Sequence, residues 1–211
     1  MKPKSLKVIT NGYDESDVEQ VEVKLDEKFT ISHIGTLNAA RNPRTVWKAL
    51  SQLCADNKAF ETDLQIQLVG KVDFSVLEDI RVLGLERNLT KIDYLPHADA
   101  IARQQSSQLL LLLINNTANA KGILTGKFFE YLASGRPIFG VGPVDGDAAA
   151  VLKQTSAGVM VDFDDVEATK QAIWKYYEQY RAGALQVDAS SVEQFSRRNL
   201  TAELVQVLSQ S

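Results

Sequence analysis
Apolar positions along the chain fall into two patterns that alternate. Residues 29–35, "FTISHIG", are β-branched and stop at a glycine, which predicts a strand. In residues 42–57, "NPRTVWKALSQLCADN", Val46, Leu50, Leu53 and Cys54 recur at helical spacing, and Pro43 suits a first turn. "DLQIQLVG" alternates like a strand, and "DFSVLEDIRVLGL" reads as a helix ending near Gly84. "NLTKIDYL" is strand-like, and "HADAIARQQSS" places Ala98, Ile101 and Ala102 on one side of a helix. "QLLLLLIN" is apolar on both faces, as in a central strand covered on both sides. Residues 121–142, "KGILTGKFFEYLASGRPIFGVG", supply a loop, a short helix stopped near Gly135 and another strand. "DGDAAAVLKQT" follows as a helix with Asp147 as the expected N-cap, then "AGVMVDF" as a strand. "DVEATKQAIWKYYEQYRAG" is an amphipathic helix, and another is expected from Ser190 onward.

Strict alternation predicts an α/β fold: a doubly wound, mainly parallel six-stranded sheet with helices on both faces. Ahead of it, "LKVITNG" is a lone strand-like piece, and "YDESDVEQVEVKLDEK" is acidic, polar and linker-like. The expected division is therefore residues 1–28 as strand and linker, 29–189 as the sheet domain and 190–211 as a C-terminal helix.

Bulk numbers narrow the function. The chain has 211 residues and is 45% hydrophobic, enough for one large core. Net charge is -4, so nothing draws it strongly to nucleic acid. Cys54 is the only cysteine, which excludes an internal disulfide and a multi-thiolate metal site and fits a reducing compartment. No apolar run reaches membrane-spanning length, and the N-terminus lacks a signal-peptide core.

In an open parallel sheet, ligands gather beyond the carboxyl ends of the strands. The loop Gly122, Ile123, Leu124, Thr125 and Gly126 precedes a helix there. Its N–H groups suit an anion, but the two glycines explain a tight turn equally well. It is neither a Walker A loop nor the dinucleotide fingerprint. Lys127 and Glu130 share a helical face. Lys127 could reach an anion at the helix start and Glu130 could accept from paired hydroxyls, as on a ribose. On spacing alone, an exposed ion pair worth about 0.2–0.5 kcal/mol is the simpler reading. Arg41, in the loop after Gly35, is a candidate phosphate ligand, with Arg44 an equal rival by composition. His33, inside a strand, reads as a packed imidazole; His97 reads as a capping or packing residue at a helix start. Asp145 and Asp147 read as turn and cap residues. Trp174, Tyr176, Tyr177 and Tyr180 could stack a ligand, though packing explains them more simply.

"GKFFEYLASGRPI" resembles the donor-site helix of GT-B glycosyltransferases of the retaining GT4 type, where K-x-x-E-Y-x-A-x-G-K/R-P recurs. "ISHIGTLNAARNP" is similar to the strand and glycine loop that open the second domain of that family. "LQIQLVG", "IDYLPHADAIARQQSSQLLLL" and "SAGVMVDFDDVEATKQAI" are similar to its later elements in order. "LKVITNGYD" resembles the exit strand of the first domain. The likeness runs from about Leu6 to Leu208.

The resemblance implies one Rossmann-like half of a GT-B fold, cut from a longer protein. It implies a donor-binding half that serves transfer of a sugar from a nucleotide-diphosphate sugar, in cell-surface or extracellular polysaccharide synthesis, and that is inactive alone. Glu130 matches the ribose glutamate. Lys127 and Arg41 match cations that stabilise the leaving diphosphate. Residues 122–126 match the cradle for phosphates and sugar, with Gly35 in the first loop and Leu95 and Pro96 near the base. No cofactor and no metal are implied. The partners are a nucleotide sugar and, through the other domain, an acceptor sugar or lipid-linked glycan, with no nucleic acid. The expected place is the cytoplasm, with membrane association through that other domain. Two departures stand out. Gly122 occupies the position, eight before Glu130, where many relatives carry a second glutamate. Thr36 follows Gly35 where an arginine is common. Rival readings are a GT-B-like sugar-nucleotide epimerase or inverting transferase, and a non-catalytic nucleotide-sugar or partner-binding domain. A nicotinamide-binding domain lacks its fingerprint.

Overall fold
The computed structural model describes residues 7–15, 23–187 and 191–209. Six strands form one sheet: β1 (Phe29–Ile34), β2 (Leu64–Val69), β3 (Leu89–Ile92), β4 (Leu109–Leu113), β5 (Ile138–Val141) and β6 (Gly158–Val161). Their order is β3-β2-β1-β4-β5-β6, and every pairing is parallel. Between them run α1 (Arg44–Asp56), α2 (Lys58–Asp63), α3 (Phe74–Val82), α4 (His97–Ser106), α5 (Gly126–Ala133), α6 (Asp147–Gln154), α7 (Val166–Arg181) and, at the end, α8 (Arg197–Ser209).

The period of two along each strand builds two cores. Leu109, Leu111 and Leu113 of β4 join Phe29, Val46, Leu50, Phe60, Ile80 and Tyr177 on one face. Leu110 and Leu112 join Ile34, Phe128, Tyr131, Leu132 and Leu152 on the other. Helices α1, α3 and α7 cover the first face; α5 and α6 cover the second. The run of five leucines is thus buried throughout because each side chain, up or down, meets a helix layer. The late aromatic cluster belongs to the first core. Tyr177 lies edge-on to Phe29 and Phe60, with ring centroids 5.5 and 4.9 Å apart, and donates from its hydroxyl to Asp63.

The helix expected within residues 42–57 is α1, and a second short helix, α2, stands between it and the next strand. Asn57 ends α1 and its side chain accepts from Phe60 N–H at 2.9 Å, starting α2 and turning Phe60 inward. Three expectations are corrected. The N-cap of α6 is Gly146, and Asp147 is the first helical residue. A side chain at 146 would crowd the Lys121 backbone, its Cβ 3.0 Å from the carbonyl oxygen. Residues 7–12, the described part of the lone strand-like piece, form no strand, since no neighbouring strand offers partners. Tyr13 instead bridges to Ser196, with Tyr13 N–H donating to Phe195 O and Arg197 N–H to Tyr13 O. That bridge also delays the last helix to Arg197, after a single turn at Glu193–Phe195. Part of the linker, residues 16–22, lies outside the described residues.

Gly158 is fixed by close approach rather than by its own backbone. A Cβ there would lie 1.9 Å from the carbonyl oxygen of Ile138, its partner in β5. Replacing Gly158 with alanine should push β6 off the sheet and lower stability by about 1–3 kcal/mol, the usual cost of overpacking. Urea unfolding of the two proteins measures it; an unchanged midpoint would contradict the tight β5–β6 seam.

Candidate functional site
The strand order reverses between β1 and β4, and the two strands part there. β1 and β2 stay paired from Phe29–Leu64 to Ile34–Val69, whereas β1 and β4 pair only at Ile31–Leu109 and Ser32–Leu110. Parting strands leave peptide groups without ladder partners, and buried peptide groups need partners. Two side chains supply them. His33 Nδ1 donates to Leu111 O at 3.0 Å, and Ile34 N–H donates to the Tyr131 hydroxyl at 2.9 Å. The carbonyl can only accept, so the His33 proton sits on Nδ1 and Nε2 is a bare acceptor. That nitrogen is buried and has no hydrogen-bond partner. His33 is 3% exposed. Burial first, then the charges of Lys127 and Arg41, push its pKa down to about 4, so the ring is neutral near pH 7.

Beyond the parted strands lie the loops that carry the charged candidates. Thr125 caps α5, its hydroxyl accepting from Phe128 N–H at 3.2 Å. The turn Ala120–Gly122 and the exposed Thr125 and Gly126 leave the helix start open, and a Cβ at Gly126 would touch nothing. Lys127, in the first turn of α5, lies back across the end of β1. Its Cε is 2.9 Å from where a Cβ of Gly35 would be, and Gly35 has a φ of +142°, which favours glycine; a side chain there would displace the Lys127 stem. Lys127 Nζ stands 5.6 Å from the Tyr131 ring centroid and 3.5 Å from Glu130 Oε2. Glu130 also accepts from Gln104 Nε2 at 3.4 Å.

Arg41 ends a short turn, Ala39–Arg41, beside the same loop. Its Nη2 donates to Thr36 O at 2.9 Å while its buried Nε has no partner. Its rival Arg44 is engaged elsewhere, 2.8 Å from Asp79. Arg41 and Lys127 both lie close enough to His33 for their charges to act on it, and Glu130 is the acid beside Lys127. The partial positive end of α5 adds to them.

Next to these charges is an open cleft of 570 Å³ at the carboxyl ends of β1, β2 and β3. Gly35, Gly70, Val72 and Leu95 line it, and Tyr94, 81% exposed, stands at its mouth. Pro96 is exposed at the start of α4 and does not line the cleft. On the opposite flank the cradle is clasped to α6: Lys121 pairs with Asp145 at 2.5 Å, and Asp147 Oδ2 lies 4.0 Å from where a Cβ of Gly122 would be. Sequence reading gave Tyr131 no role beyond its motif, and it missed Tyr94. An aromatic hydroxyl beside two phenylalanines in "KFFEY" is the signal that could have marked Tyr131. His97 is exposed at the start of α4, outside the crevice. Among the described residues, no group of His, Cys, Asp and Glu could hold a metal ion, and no helix is long and apolar enough to cross a membrane.

No protein-family model and no curated protein matches the chain. Solved structures do. Sucrose-phosphate synthase from Thermosynechococcus elongatus superposes with a TM-score of 0.72 at 13% identity, over 97% of this chain and 52% of that one. A glycosyltransferase from Rickettsia africae gives 0.72 at 14%, over 95% and 56%. HepE from Anabaena, in complex with UDP, gives 0.71 at 17%, over 97% and 57%. This chain spans little more than half the length of these proteins. Its fold, an all-parallel Rossmann-like sheet with helices on both faces, is that of one half of a GT-B glycosyltransferase.

The buried His33 makes a prediction about acid. Its folded pKa, about 4, lies below the ordinary 6.5, so the unfolded chain takes up a proton first as pH falls. The stability it permits is complete above about 6.5 and is lost toward 4, by about 2 kcal/mol between pH 6.5 and 5. Urea unfolding at several pH values should show this slope in the native protein. It should be much shallower in His33→Gln, which keeps a donor for Leu111 but cannot titrate.

Proposed function
We propose that this chain is the donor-binding half of a retaining, GT4-type glycosyltransferase. It binds a nucleotide-diphosphate sugar at the switch point of its sheet. The observation that carries this is electrostatic. Lys127 and Arg41 converge with a helix N-terminus beside the carboxylate of Glu130, on a chain whose net charge is -4. Such a spot favours an anion. A diphosphate would meet both cations, and the cleft beside them, lined by Leu95 and fronted by Tyr94, suits a base. Glu130, one turn into α5, then faces the sugar between base and phosphate and accepts from paired ribose hydroxyls. UDP and UDP-glucose in the HepE structures support a ligand of this class.

Transfer breaks the bond between the anomeric carbon and the terminal phosphate oxygen, and its electron pair stays with the diphosphate. Lys127, Arg41 and the amides at the start of α5 stabilise the charge that develops there. The acceptor, a glycan in cell-surface or extracellular polysaccharide synthesis, is held by a second domain facing this cleft in the cytoplasm. The chain alone transfers nothing. Gly122 lacks the carboxylate that relatives bring to the sugar. Asp147, whose carboxylate overhangs Gly122 and makes no hydrogen bond or ion pair among the described residues, takes that task.

Two measurements test this. Replacing Glu130 with alanine should weaken binding of the preferred nucleoside diphosphate among UDP, GDP and ADP about 10- to 100-fold, the worth of hydrogen bonds to a charged group. It should leave affinity for the 2′,3′-dideoxy analogue unchanged. Equal losses for both ligands, or full transfer activity in a longer protein carrying the substitution, would remove Glu130 from the ribose. Asp147→Asn should abolish the difference in affinity between the nucleotide sugar and its nucleoside diphosphate without weakening the latter. An unchanged difference would return the sugar to the backbone cradle.

A further inference from the structure
We propose that Tyr131 is the positioning residue of the anion site, with His33 as its counterpart on the opposite face of the sheet. Resting on the nucleotide-diphosphate reading above, this names what sets the site's shape. Tyr131 is fully buried among Phe128, Phe129 and Leu132, where a third phenylalanine would pack as well and need no partner. Its hydroxyl is kept by the end of β1: it takes the Ile34 N–H that β4 no longer meets and donates to the Ile34 carbonyl at 3.5 Å. Ile34 is followed by Gly35, and across Gly35 lies the stem of Lys127. The ammonium of Lys127 in turn rests over the Tyr131 ring. One side chain therefore ties the end of β1, the glycine loop and the phosphate-facing lysine to the first turn of α5. Burial and the nearby Glu130 raise the phenol's pKa, so the hydroxyl keeps its proton throughout the physiological range.

His33 closes the same gap from the other core. Its bond to Leu111 fixes how far β4, and with it the loop into α5, stands from β1. The two bonds act as struts across a crevice that no strand pairing holds. A strut that serves only folding would lower stability and leave ligand discrimination alone. A positioning strut controls the increment in affinity that phosphates add to a nucleoside.

The test compares a nucleoside diphosphate with its own nucleoside, using UDP, GDP or ADP, whichever the native domain binds best, by calorimetric titration. Tyr131→Phe removes one oxygen and keeps the ring under Lys127. It should cut the affinity ratio of diphosphate to nucleoside about tenfold, the scale of one hydrogen bond, with nucleoside affinity unchanged. His33→Leu should lower the same ratio, and His33→Gln, which restores a donor to Leu111, should recover it. A Tyr131→Phe protein with a lower melting temperature but the native ratio would overturn the proposal and leave the nucleotide-binding reading standing. If the native domain binds none of the three diphosphates, that reading falls, and this inference falls with it.

Discussion
The parting of β1 and β4 is the constraint on which the rest of this structure depends. A parallel sheet wound in both directions from its centre must send its first and fourth strands' connections to opposite faces. The loops after β1 and β4 therefore diverge, and the ladder between the strands ends at Ser32 and Leu110. What the backbone loses there, His33 and Tyr131 supply. Their hydrogen bonds let the crevice stay open without stranding the Leu111 carbonyl or the Ile34 amide in a dry interior. The glycine loop, the lysine stem over it and the open start of α5 all take their places from that opening.

The two ends of the sheet treat buried side-chain nitrogens differently, and the contrast bears on the candidate site. At the amino end of β4, the buried guanidinium of Arg136 donates to the carbonyls of Ser107 and Gln108 and to the Gln108 side chain. Ser107 in turn bonds Ser32 and Arg103, so that network is closed. At the carboxyl end, His33 Nε2 and Arg41 Nε are buried without partners. Polar groups left unpaired in a dry interior are costly and are met where function asks for them. Neutral His33 also keeps a third positive charge from joining Lys127 and Arg41. Protonating it would crowd three cations into one crevice.

The fold was largely legible because its signals are periodic. Five leucines in a row required two covered faces, and the alternating segments on either side required crossovers of one kind. Details set by one residue escaped: Asn57 starts the unread helix α2, and the cap of α6 falls on Gly146, packed against the Lys121 backbone, rather than on Asp147. The candidate site was legible in pieces: Arg41 from its carboxyl-end loop, Lys127 and Glu130 from their shared helical face, and Gly35 from the resemblance. Their meeting could not be read, because the contact of Lys127 with Gly35 depends on strand order. Arg41 and Arg44 were equal in composition and separated only when Asp79, far along the chain, engaged Arg44. Tyr131 stayed hidden because the peptide group it serves is orphaned by tertiary structure alone.

Lys127 and Glu130 raised a choice in the sequence between an exposed ion pair and two ligand contacts. The structure makes the pair: 3.5 Å apart, each side chain about a third exposed. A pair of that kind is worth about 0–1 kcal/mol, because water competes for both charges. Under the proposed function, each partner would exchange it for a charge-assisted hydrogen bond, worth about 1.5–3 kcal/mol. The ion pair is then the resting state of the site rather than its rival. It holds both side chains on one face of α5 while the crevice is empty, and its weakness lets a diphosphate and a ribose separate them.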